Sequence, residues 1–104
     1  MAARKLAAIA HSRSGDKGDI SNLSLIPFDP ADYPILLAQV TAARVAQHFA
    51  PLGVTHVERY ELPLVHALNF VLHGALAGGV TTSLRLDAHG KSLSYALLEL
   101  EVEM

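Results

Sequence analysis

Apolar residues between Lys5 and His11 and between Ile20 and Pro27 flank a polar run that carries two glycines. This pattern predicts two strands joined by a loop, the second with Leu23 and Leu25 on one face and Ser24 between them. Pro27 ends that strand. Asp29-Pro30 and Asp32-Tyr33-Pro34 then read as helix starts, because a proline in the first turn gives up no needed N–H. A helical region follows to about Ala50 on the spacing of Leu36, Leu37, Val40, Val45 and Phe49, and Thr41 offers an N-cap that divides it into two helices. Pro51 and Gly53 stop it.

Val54 to Leu62 alternates imperfectly and predicts a third strand, with Glu58, Arg59 and Glu61 as a solvated edge and Tyr60 as core. Leu64, Val65, Leu68, Val71, Leu72, Ala75 and Leu76 fall at helical spacings before Gly78-Gly79, which predicts a helix there. Thr82, Leu84 and Leu86 mark a fourth strand over Thr81 to Asp87, and residues 87–90 a turn. For 92–102 the richness in Ala, Leu and Glu favours a helix, with a hairpin strand as the alternative. The expected fold class is α+β: a two-layer sandwich of about four strands with two or three helices, in a single domain over 1–104.

Composition narrows the functions. Cysteine is absent, which removes disulfides, thiolate nucleophiles and Cys-ligated metals and leaves cytoplasmic residence as the default. With a net charge of −2 and eight basic residues that are scattered apart from Arg4-Lys5, neither nucleic acid nor an anionic membrane is an expected partner. The apolar run Leu6 to Ala10 is too short for a signal h-region, and nothing approaches the length of a membrane span. Hydrophobic residues make up 51% of the chain and charged ones only 17%, so some apolar surface is expected to lie under another chain, a second copy or a larger protein.

The run His11-Ser12-Arg13-Ser14-Gly15-Asp16-Lys17-Gly18-Asp19 is the leading site candidate, since its glycines admit close backbone approach and Ser, Asp and Lys supply donors and acceptors. It has neither Walker A nor dinucleotide spacing. Backbone amides with Lys17 suit a carboxylate or thioester carbonyl; a loop closed by its own Asp and Ser side chains is the competing reading. His11, Asp16, Asp19 and Asn22 lack the twelve-residue calcium pattern, and His66 and His73, about 10 Å apart along the predicted helix, cannot share one ion. No metal or cofactor is therefore expected. His66 and Asn69, three apart on that helix, form a second candidate cluster. No Ser, His and acid arrangement stands out, and no catalytic residue is assigned.

Four segments in order, His11 to Ser24, Glu58 to Pro63, Ala67 to Leu76 and Ser83 to Ser92, resemble the small ferredoxin-fold domain of the AtuA-like, acyclic-terpene-utilisation proteins. The resemblance implies a ferredoxin-like fold and an accessory small subunit working with a large AtuA-like protein in catabolism of terpenoid or other acyl-CoA intermediates. Its motif positions here are Ser14, Gly15, Asp16, Lys17, Gly18, Asn22, Asn69 and Gly74. Thr82 departs from the family, whose members often carry Arg there, so an anion clamp at that position is not expected. Two alternatives are a self-contained homo-oligomeric binder or enzyme for acyl-CoA or carboxylates, and a structural oligomerisation module.

Overall fold

The computed structural model describes residues 3–17, 20–74 and 91–104. The first predicted strand is broken: β1 (Ala3–Lys5) gives way to a 3-10 turn at Leu6–Ala8 and then to β2 (Ala10–His11). The turn lets Leu6 enter the core fully. The polar run that follows is strand rather than loop over β3 (Ser14–Lys17), paired antiparallel with β4 (Ile20–Pro27) from Ser14 opposite Leu23 to Lys17 opposite Ile20.

A 3-10 turn at Pro30–Asp32 leads into α1 (Tyr33–Gln39) and α2 (Ala42–Phe49), separated as expected at Thr41, whose hydroxyl accepts from the Arg44 N–H at 3.1 Å. β5 (His56–Leu62) and β6 (Ala67–His73) form an antiparallel hairpin closed by a 3-10 turn at Pro63–Val65.

This hairpin replaces the helix expected over 64–76 as far as the described residues reach, Ala75 and Leu76 lying outside them. Leu68, Phe70 and Leu72 are buried and Asn69, Val71 and His73 are not, which is a period of two. The helical spacing was a coincidence of Leu68 and Leu72, which satisfy both periods, and pairing on both edges, with β4 and β5, decides the contest. At the other end, α3 (Lys91–Leu98) stops earlier than expected and β7 (Glu101–Glu103) pairs with β1, so the tail is helix and then strand. The predicted strand over Thr81 to Asp87 and the turn after it lie outside the described residues, as do Gly18 and Asp19.

The main sheet runs β2-β4-β6-β5, with β3 beside β4 on the same edge as β2. Its inner face supplies Leu23, Leu25, Val57, Leu68, Phe70 and Leu72 to one core with Leu36, Val40, Val45 and Phe49 of the first two helices and Leu93 and Leu97 of α3. Truncating a core aromatic such as Phe70 costs about 3–5 kcal/mol. Two side chains fasten the tail: Gln39 pairs through both amide atoms with the Glu103 backbone at 2.7 Å, and Arg44 donates to the Glu101 carbonyl at 2.7 Å. The architecture is α+β, with no described helix on the outer face of the sheet.

Candidate functional site

The outer face is read directly from register. Gly15, Asn22, Val71 and Glu58 form one row across β3, β4, β6 and β5; Ser24, Asn69 and Tyr60 form the next; Ile20, His73 and His56 lie on the other side. With strands about 4.8 Å apart, Asn22 and Glu58 stand about 10 Å from one another across Val71.

At the β5 end, one carboxylate organises the face. Glu58 accepts a hydrogen bond from the Tyr60 hydroxyl at 3.1 Å, while the Nε2 atoms of His73 and His56 each approach it at 3.6 Å. The two imidazole centroids are 5.4 Å apart. The Tyr60 hydroxyl, followed by His73, holds the Glu58 carboxyl below its ordinary range, and the same contact pushes the Tyr60 phenol up. His73 Nε2 is shut off from solvent and makes no hydrogen bond among the described residues, its approach to Glu58 staying at 3.6 Å. A carboxylate kept ionised beside two imidazoles and a phenol can hold a hydroxyl, amide or carbonyl group against the sheet and pass a proton to or from it.

Tyr60, expected in the core, is 49% exposed. Its strand alternates with Val57, which takes the inward position. Exposed Ile20 lies at the His73 end of the face, and Leu62 at the other end leads to the hairpin tip, where Leu64 is 96% exposed and Leu62, Pro63, Leu64 and Val65 with Glu61 line a pocket of about 310 Å³.

Of the sequence candidates, Gly15, Asn22 and Asn69 share this face. A Cβ at Gly15 would meet nothing within 4 Å, so neither crowding nor positive φ requires glycine there. Asp16 and Lys17 are placed by their backbone in β3. Ser14 falls on the other side of the strand, where with Ser12, Arg13, Ser94 and Tyr95 it lines a separate pocket. His66 is not a helical neighbour of Asn69: it occupies the hairpin turn at φ 52°, with its ring edge-on to Tyr33 at 5.7 Å. Gly74 is a structural position, since at φ +95° a Cβ would come 2.8 Å from the Gly53 carbonyl oxygen.

Glu58, Tyr60, His56 and His73 were not candidates from the sequence. Alternation in 56–62 already aligns His56, Glu58, Tyr60 and Leu62; His73 joins them only once β6 is a strand.

The family profile for the AtuA ferredoxin-like domain matches residues 4–103. The chain belongs to the AtuA ferredoxin-like domain family. No curated protein and no solved structure matches it. In this AtuA ferredoxin-like domain the described helices lie on one face of an antiparallel sheet, and the candidate positions Ser14 and Gly15 fall on opposite faces. Among the described residues no group of three or more His, Asp or Glu side chains is arranged to hold a metal ion, and no helix is long and apolar enough to cross a membrane.

Proposed function

We propose that this chain is an accessory small subunit, a single ferredoxin-fold unit that docks on a large AtuA-like protein in the catabolism of terpenoid or other acyl-CoA intermediates. Its outer sheet face, on which no described helix lies, completes a site shared with that protein. The observation that carries this reading is the composition of the face: a Glu58, Tyr60, His56 and His73 cluster with exposed Ile20 at one end and exposed Leu62, Leu64 and Val65 at the other. An isolated polar cluster needs no such apolar ends, whereas interfaces commonly combine an apolar surface with a few placed polar groups. Gly15 supports the same face. A strand glycine with open space above it suits the close approach of another backbone or ligand.

Docking then presents Asn22, Asn69 and the Glu58 cluster to a polar group of the substrate held by the larger protein. Co-expression with an AtuA-like large protein and affinity purification tests this. The wild-type chain is expected to co-purify at micromolar concentration, and Leu64→Asp and Gly15→Leu, both at open positions, are expected to abolish co-purification without unfolding the chain. Wild-type protein that fails to co-purify, or both variants binding as wild type, refutes the docking face.

A further inference from the structure

A second pocket, on the helix side of β3, differs in chemistry from the open face. It has a volume of about 280 Å³ and is lined by Ser12, Arg13, Ser14, Ser94 and Tyr95. These five residues carry three hydroxyls, a phenol and a guanidinium. Ser12 Oγ is shut off from solvent and has no hydrogen-bond partner among the described residues.

A buried hydroxyl left unpaired costs about 1–3 kcal/mol, and native proteins keep few of them without cause. A serine hydroxyl moves among three staggered positions by rotation about χ1, so Ser12 can turn its O–H toward a group that enters the pocket. Serine, tyrosine and arginine all donate, and arginine only donates; hydrogen bonds from such a set to an ionised acceptor are the strong kind.

We infer that the pocket between Ser12–Ser14 and Ser94–Tyr95 binds a small oxyanion, the carboxylate or phosphate group of an organic acid or phosphate ester. This site is independent of docking on a larger protein, because every group that forms it belongs to this chain.

The test is an NMR amide titration of the full-length chain with butyrate and, separately, with inorganic phosphate, using sodium chloride at matched ionic strength as the control. Saturable shifts at Ser12, Arg13, Ser14, Ser94 and Tyr95 with butyrate identify a carboxylate site, and with phosphate alone a phosphate site. Arg13→Gln, at an exposed position, is expected to weaken binding at least tenfold. Ser12→Ala is expected to weaken it about fivefold while leaving the melting temperature of the free protein unchanged or raised. The inference is overturned if neither anion shifts these amides beyond the chloride control, or if wild type and Arg13→Gln titrate alike.

Discussion

Arg59 stands on the sheet edge where a solvated charge is the simplest expectation, yet its side chain is only 19% exposed and its Nη1 donates to the carbonyls of Leu37 and Val40 at 2.8 and 3.0 Å. Those carbonyls end α1, where Val40 leaves helical geometry at φ −96° and ψ 77°. Arg59 is thus the C-terminal cap of α1 and ties that helix to β5. Arg59→Met keeps most of the stem and deletes both donors. A charged donor contributes about 1.5–3 kcal/mol, and since both bonds come from one nitrogen we expect a loss of about 2–3 kcal/mol rather than twice that. In a domain of this size each kcal/mol moves the melting temperature by about 4–8 °C, so the midpoint should fall by roughly 8–24 °C. Glu61→Gln is the internal control: it removes the charge from the 3.0 Å pair with Arg59 Nη2, an ion pair whose acid is 54% exposed, and such pairs are worth about 0–1 kcal/mol. Urea unfolding followed by circular dichroism measures both. If Arg59→Met costs no more than Glu61→Gln, the cap is not holding the helix and the argument fails.

Gly74→Ala should destabilise by about 2–3 kcal/mol, because the new Cβ is strained at φ +95° and sits 2.8 Å from the Gly53 carbonyl oxygen; a melting temperature within 2 °C of wild type, on the order of 0.5 kcal/mol, contradicts this. Gly15→Ala, with no atom within 4 Å of its Cβ, should instead be neutral or stabilise by about 0.4–1 kcal/mol, and a clear loss in urea unfolding would show hidden crowding. Glu58 has a lowered carboxyl value, so its contribution to stability is complete above the ordinary value of 4.5 and is lost as pH falls through the lowered one. The gap between wild type and Glu58→Gln should therefore close in acid, and Tyr60→Phe should raise the carboxyl midpoint followed by carbon NMR; an unchanged midpoint in Tyr60→Phe removes the tyrosine from the cluster.

The helical layer was legible because its signals are local: prolines at Pro30 and Pro34 open it, Thr41 divides it, and Leu36, Val45 and Phe49 keep helical phase. The hairpin from His56 to His73 was not, because its second strand has apolar residues that satisfy both periods and only pairing with β4 and β5 chooses between them. A helix over this segment would bring His66 beside Asn69 and take His73 away from Glu58, whereas the strand does the reverse. The polar run 11–19 was recognised as chemically distinctive, but its strand conformation over Ser14–Lys17 depends on pairing with β4 that no local signal announces.

Making that run a strand changes what it can do. A loop gathers its side chains around one ligand, whereas alternation sends successive residues to opposite faces. Gly15 therefore belongs with Asn22 on the open face, and Ser14 with Ser12 and Ser94 beside α3. The run thus borders two surfaces of different chemistry, one a largely polar sheet face with the Glu58 carboxylate on its edge strand and one lined by Ser12, Arg13, Ser14, Ser94 and Tyr95. Substitutions at Gly15 and at Ser14 should accordingly separate two phenotypes, loss of partner binding at Gly15 and loss of anion binding at Ser14. A motif that formed one composite site would lose both together.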